Sequence, residues 1–114
     1  MNLNHILQVL PDELLKQGIL LEKSVGVKEI AWGYPAIIKV IAVIKKNNLI
    51  ILGGDVYTQS NGVLEMAYAN WYFNVDLADT MEHNVNHSVE TAMKYINNYS
   101  DKNNSYYSLV IRGT

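Results

Sequence analysis

LIILGGDVYTQSNGVLEMAYANWY, from Leu49 to Tyr72, is the stretch that decides the fold of this 114-residue chain. Its first four residues, Leu49–Leu52, form an apolar run typical of a strand that is covered on both faces. Gly53-Gly54 then predicts a bulge or a close approach of another backbone. Asp55–Thr58 continues the strand beyond that interruption.

The second half of the stretch predicts two turns and two further strands. Asn61-Gly62 contains the residue types that tolerate positive φ in a tight hairpin turn. Apolar and polar residues alternate over Leu64–Tyr68, which is the period of a strand with one face on the core. Ala69-Asn70 permits a second tight turn, and the alternation resumes over Trp71–Val75. The pattern therefore predicts a three-stranded antiparallel meander.

Two main helices flank this meander in the sequence. Pro35 opens the first, which has an apolar side and ends at Lys45-Lys46, where cations suit the helix dipole. Asp79 and Glu82 resemble a capping pair at the start of the second. The apolar positions of this second helix recur every three or four residues: Met81, Val85, Val89, Ala92, Ile96 and Tyr99.

The remaining segments add smaller elements. Helices are predicted at Asn2–Val9 and from Pro11 to Lys16, and a last strand at Tyr106–Ile111. The predicted fold class is α+β, with an antiparallel sheet built on the three-stranded meander and extended by edge strands. This sheet packs against the two main helices.

Composition limits the class of protein. A share of 49% hydrophobic and 18% charged residues is that of an ordinary globular protein. We expect one domain over residues 1–114. The absence of cysteine excludes disulfides and thiol chemistry. The N-terminus lacks the basic and small-residue features of a signal peptide, and the longest apolar run contains Lys39. We therefore expect a cytoplasmic protein.

The charges are unevenly distributed, although the formal net charge is only −2. Residues 47–93 contain no Lys or Arg, whereas six of the 11 acidic residues lie there. If this segment shares a surface, that surface repels nucleic acid and attracts a basic partner. The alternative is compositional, because strands often use Thr, Tyr and Asn on their wet faces.

Catalytic and metal chemistry find little support in the sequence. His83 and His87 lie one helical turn apart with Glu90 beyond them, but no third ligand follows from the spacing. Gly53-Gly54-Asp55 is shared with the signature of nucleotide cyclases, but Val56-Tyr57 follows it and the chain is too short for that domain. No nucleophile elbow or phosphate-binding loop is present. We expect no enzyme, no cofactor and no metal.

Aromatic side chains are concentrated in the meander, and Tyr and Trp are favoured anchors in protein interfaces. By alternation, Tyr68, Trp71 and Phe73 are predicted to join the core, while Tyr57 and Tyr72 are predicted to lie on the open face. The candidate partner-binding residues combine these two tyrosines with nearby acids: Asp55, Tyr57, Glu65, Tyr72 and Asp76.

Two short motifs link the chain to a known family. LGGDVY (Leu52–Tyr57) and NWYF (Asn70–Phe73), separated by a polar turn and a strand, resemble the immunity protein 40 family. The resemblance extends upstream to the apolar helix with its Lys-Lys-Asn-Asn end, and downstream to YINNYS (Tyr95–Ser100). It covers Glu22 to Ser100.

Members of that family are bacterial proteins encoded beside polymorphic toxins, which they neutralise by binding. The resemblance implies a stoichiometric inhibitor of a cognate toxin domain, acting by occlusion. It assigns no contact residues, because the motifs can mark the fold rather than the interface. The competing hypothesis is a small-ligand-binding or accessory domain that uses the sheet face.

Overall fold

The computed structural model describes residues 8–22 and 29–113, so the predicted helix at Asn2–Val9 lies largely outside the described residues. The described chain has the predicted α+β architecture, with a single antiparallel sheet. Its elements are α1 (Asp12–Gln17), β1 (Ile19–Leu20), β2 (Ile30–Gly33), α2 (Ala36–Lys46), β3 (Ile50–Ser60), β4 (Val63–Tyr72), α3 (Met81–Asn98), a 3-10 helix (Lys102–Asn104) and β5 (Ser105–Arg112).

The sheet has five strands in the order β1-β2-β5-β3-β4, and each neighbouring pair is antiparallel. The predicted last strand is therefore the central one, β5, and lies between β2 and β3. The two edges differ in length, because β1 has two residues and β4 has ten. The long edge strand β4 is the only one of the two that offers an extended open edge within the described residues.

The hairpin β3–β4 confirms the first predicted turn and corrects the second. Asn61 and Gly62 have φ values of 53° and 79° and form the two-residue loop between the strands. No turn occurs at Ala69-Asn70, because β4 continues to Tyr72. The predicted three-stranded meander is therefore a two-stranded hairpin. The third strand beside it is β5, which pairs with β3.

A β-bulge replaces the second turn. Asp55 pairs with Asn70, and Tyr57 pairs with Met66. An advance of two residues along β3 therefore lies opposite an advance of four residues along β4. Within the extra residues Tyr68 has a φ of 56°. Its side chain is 88% exposed, so the prediction that Tyr68 joins the core is wrong. The turn-like composition of Ala69-Asn70 reflected this local break in the ladder.

Gly53 and Gly54 show both features predicted for them, a bulge and the close approach of another backbone. The β3–β5 register shifts between Ile51 and Gly53, which is a bulge. At Gly54 the Trp71 ring and the Ser108 carbonyl lie so close that a Cβ atom would overlap them. The glycine pair therefore allows Trp71 to lie flat against β3.

The two long helices cover one face of the sheet, here called the inner face. α3 packs against β3 and α2. The predicted apolar faces are confirmed, since Val85, Val89 and Ile96 are 3%, 8% and 0% exposed. The buried positions of α2 are Ile37, Val40, Ile41 and Ile44.

The cap of α3 lies one residue later than predicted. The helix begins at Met81, and the Thr80 hydroxyl accepts a hydrogen bond from the His83 N–H at 3.1 Å. Asp79 instead accepts from the Thr80 N–H at 2.8 Å and lies 2.8 Å from Nδ1 of His83. Asp79 and Glu82 are thus not a capping pair.

A smaller cluster covers part of the opposite, outer face. It consists of Leu21, Ala31, Tyr57 and Leu64, with Ile19 and Tyr106 packed against it. Each of the strand residues in it alternates with inner-face neighbours, as Tyr57 does with Val56. The outer face is therefore partly covered rather than fully open.

One buried hydroxyl on α3 accepts a hydrogen bond from a main-chain N–H at the β3 bulge. The Ser88 hydroxyl accepts from the Ile51 N–H at 3.0 Å and donates to the Val85 carbonyl at 2.9 Å. Ser88 is completely buried. A buried N–H left without an acceptor costs free energy of the order of a lost hydrogen bond.

Ser88→Ala is therefore expected to lower the free energy of unfolding by about 1–3 kcal/mol. Thr91→Ala is the matched control, because the Thr91 hydroxyl bonds a carbonyl on the same helix but at an exposed position. Its effect should stay within about 0.5 kcal/mol. Urea unfolding of both variants measures the difference, and equal losses would show that Ile51 has another acceptor.

Candidate partner-binding surface

The exposed apolar side chains are concentrated on β4. Among the described residues six large hydrophobic side chains are exposed, and four of them belong to this strand. Tyr68 and Tyr72 are the most exposed on the strand, at 88% and 74%. The six are Leu20, Val63, Met66, Tyr68, Tyr72 and Leu77. Large aromatic side chains exposed on an open edge strand are typical of an interaction surface.

The main chain of β4 is also open on this side. The Phe73 N–H donates to the Leu52 carbonyl at 2.8 Å, so these two residues form a hydrogen-bonded pair. Hydrogen-bonded and non-hydrogen-bonded pairs alternate along an antiparallel ladder. Asn70 and Tyr72 therefore occupy non-hydrogen-bonded pairs with β3. Their N–H and C=O groups point toward the open edge.

A groove of about 670 Å³ lies between the C-terminal half of α3 and this end of β4. That volume falls within the range of ordinary ligand sites. Trp71 contributes from the strand, and the helix with the two residues that follow it contributes the remaining side chains. The main lining residues are Trp71, Thr91, Lys94, Tyr95, Asn98 and Tyr99.

Aromatic contacts hold the floor of the groove in place. Trp71 and Tyr95 stack with ring centroids 4.9 Å apart. The Tyr99 ring contacts the Tyr95 ring on one side and the Tyr107 ring on the other. It meets the Tyr107 ring edge-on, with the ring centroids 6.3 Å apart. Burial, with the neighbouring Tyr99, raises the pKa of Tyr95 above its ordinary value. Among the described residues that line the groove, Lys94 is the only charged one.

A family model described as Immunity protein 40 matches residues 21–111. The chain belongs to the immunity protein 40 family. The match includes the whole β3–β4 hairpin, α3 and nearly all of β5. No curated protein and no solved structure matches the chain.

Two of the five residues predicted as partner-binding lie together on the outer face of this immunity-family domain. Asp55 pairs with Asn70, and Tyr72 lies two residues further along the same face. Tyr72 pairs with Gly53, which has no side chain to cover it. Asp55 is half-buried and Tyr72 is exposed. These two residues fit the predicted surface.

Tyr57 shares that face but is buried. Its side chain is only 3% exposed, beneath the cluster that contains Leu21 and Leu64. Burial raises the pKa of the Tyr57 hydroxyl. The expectation that Tyr57 lies on the open face is therefore wrong, because Leu21, Ala31 and Leu64 pack around it on this part of the sheet.

Glu65 and Asp76 lie elsewhere. Glu65 pairs with Thr58, which shares the inner face with Val56, so its side chain is on the opposite face from Tyr72. Along the strand it is also roughly 20 Å from Tyr72. Tyr72, Glu65 and Tyr57 therefore do not form the exposed group that the sequence predicted.

Asp76 belongs to the turn before α3. Its main-chain N–H donates to Oδ1 of Asn84 at 2.8 Å, and its carbonyl accepts from Nδ2 at 2.9 Å. Its carboxylate accepts from the Ala78 N–H at 2.9 Å. Asn84 is 2% exposed and also bonds the Thr80 carbonyl. Asp76 thus shapes the turn, with its side chain at the surface.

The histidines on α3 pair with separate carboxylates. Nδ1 of His83 lies 2.8 Å from Asp79, and Nδ1 of His87 lies 3.7 Å from Glu90. Hydrogen bonds from the Thr80 N–H and from His83 lower the pKa of Asp79. In residues 8–22 and 29–113 no group of three potential metal ligands occurs. Within the same residues no helix has the length and hydropathy to cross a bilayer.

Proposed function

We propose that this chain is an immunity protein that binds a cognate toxin domain as a stoichiometric inhibitor and occludes a surface which the toxin needs. Its membership of the immunity protein 40 family supports the general class. The structural observation that carries the proposal is the exposed aromatic edge strand, with Tyr68 and Tyr72 on β4. Large aromatic side chains of this kind are frequent anchors of tight interfaces.

The charge pattern supports a basic partner. The hairpin and the first half of α3 lie within residues 47–93, which carry six acids and no Lys or Arg. Asp55 lies beside Tyr72 on the outer face, where its carboxylate would meet a cation of the toxin. Such complementarity mainly accelerates association and selects the partner.

Tyr72→Ala should weaken binding of the toxin domain encoded by the adjacent gene by at least about tenfold, since truncation of an anchor costs roughly 2 kcal/mol. The melting temperature should hardly change, because the side chain is 74% exposed. Isothermal titration calorimetry measures the affinity, and thermal unfolding of the same variant measures stability.

Leu20→Ala is the matched control, because Leu20 is 62% exposed on the opposite edge strand β1. It should bind as the wild type does. If both variants bind normally, the interface lies away from β4. If Tyr72→Ala loses stability in proportion to binding, Tyr72 is a packing residue instead.

A second candidate function is suggested by the groove. Its volume of about 670 Å³ and its aromatic floor suit a small planar molecule, and Lys94 suits an anionic group on it. In that case aromatic carboxylates would raise the melting temperature, and Lys94→Ala would abolish the shift. The purified toxin domain would then form no complex with this chain.

A further inference from the structure

The sheet ends at β4, and the groove lies at this edge on the inner face. Trp71 lines the groove from the strand, and Thr91, Lys94 and Asn98 line it from α3, which packs over the neighbouring strand β3. No other strand of the described residues pairs with β4 on that side. The groove therefore borders the place of a further strand, and a long inward-facing side chain of such a strand can reach into it.

The Asn70–Tyr72 end of the open edge carries none of the usual devices that prevent strand pairing. Natural sheets protect their edges with short strands, Lys, Pro or bulges. β4 has ten residues and contains neither Lys nor Pro. Its bulge at Ala67–Ala69 interrupts the edge, but Asn70–Tyr72 beyond it is regularly paired with β3. Pairing is thus open at the end of β4 that borders the groove.

We propose that the toxin adds an extended segment to β4 at Asn70–Tyr72, as a sixth strand, and inserts an apolar side chain of that segment into the groove. This inference rests on the proposed function, because it specifies how the toxin is bound. The Asn70 and Tyr72 N–H and C=O groups supply the main-chain hydrogen bonds. Strand addition of this kind derives affinity from the backbone and specificity from alternate side chains.

The surroundings of β4 define the chemistry of the segment. Successive side chains of an added strand alternate between the two faces. One points into the groove between Trp71 and α3, which favours an aromatic or long aliphatic residue. Its neighbours lie on the outer face beside Tyr72, and a long Lys or Arg side chain there would reach across β4 toward the Asp55 carboxylate on β3. The expected segment has an apolar residue flanked by basic ones.

Asn70→Pro tests the backbone contribution. Proline removes the outward N–H, which β3 does not use, and proline is tolerated at sheet edges in this orientation. Affinity for the toxin domain should fall by about tenfold, as expected for the loss of a buried hydrogen bond with its acceptor left unpaired. Asn70→Ala keeps the N–H and is the matched control. It should bind within about threefold of the wild type.

Amide hydrogen exchange on the wild-type protein provides a measurement that needs no variant. The Asn70 and Tyr72 amides should exchange rapidly in the free protein and at least about tenfold more slowly in the complex. The Trp71 amide is an internal reference, because it already bonds to β3 in the free protein.

The outcomes separate this inference from the proposed function. Normal affinity of Asn70→Pro, or unchanged exchange at Asn70 and Tyr72 in the complex, would overturn strand addition while leaving the immunity function intact. If Asn70→Pro does not fold, the exchange data decide. A wild-type protein that fails to bind the toxin domain would instead overturn the proposed function.

Discussion

Val89→Asp is expected to abolish folding of the domain. Val89 is 8% exposed on the face of α3 that packs into the main core, between Val85 and Ala92. The substitution removes apolar contacts and places a carboxylate where no described cation can pair with it. A buried unpaired charge is among the most costly single changes in a protein. We expect a loss of more than about 4 kcal/mol, which is most of the stability of a typical domain.

Circular dichroism and urea unfolding measure this effect directly. Glu90→Asp is the matched control, because it places the same side chain one position further along the helix, at an exposed site. Its free energy of unfolding should stay within about 0.5 kcal/mol of the wild type. A Val89→Asp variant with the wild-type unfolding curve would show that this face of α3 is not buried.

Local patterns in the sequence predicted most elements correctly, because each depends on nearby residues. The helical period from Met81 onward and the Asn61-Gly62 turn are signals of this kind. The central position of β5 was not predictable, since antiparallel pairing of β5 with β2 and β3 is a long-range property. The bulge at Tyr68 was mistaken for a turn, because both features use similar residues.

Long-range packing also explains which side chains of the candidate surface were placed correctly and which were not. Alternation alone correctly placed Tyr72 on the face opposite Trp71 and left it exposed. It could not reveal that Leu21 and Leu64 pack against Tyr57. The turn predicted at Ala69-Asn70 concealed that Glu65 and Tyr72 lie seven residues apart on one strand, and therefore on opposite faces. The groove was missed because it is formed by α3 and β4 together. The one signal of the groove in the sequence was Lys94, which is the first Lys or Arg after Lys46.

Gly54→Ala should have a large effect on stability for a reason that differs from that of Val89→Asp. A Cβ atom at this position would overlap the Ser108 carbonyl and the Trp71 ring, whose Cζ3 lies only 2.8 Å from the place of that Cβ. The ring could tilt, but Ser108 is a main-chain neighbour in the central strand β5. The sheet itself must therefore shift.

Two opposing effects decide the magnitude for Gly54→Ala. Alanine restricts the unfolded chain and stabilises by about 0.4–1 kcal/mol where the native backbone accepts it. Overpacking against a main-chain atom costs about 1–3 kcal/mol or more. Steric overlap should dominate, and we expect the free energy of unfolding to fall by roughly 2 kcal/mol or more.

Gly33→Ala is the matched control for Gly54→Ala in urea unfolding. Its Cβ would lie 3.2 Å from the Tyr106 ring, a half-buried side chain that can move aside. We expect a change within about 1 kcal/mol there. Because Gly54 supports the Trp71 ring, Gly54→Ala should also displace the floor of the groove and weaken toxin binding. Equal stability of the two variants would mean that Trp71 does not lie against β3, and the groove would then lose its floor.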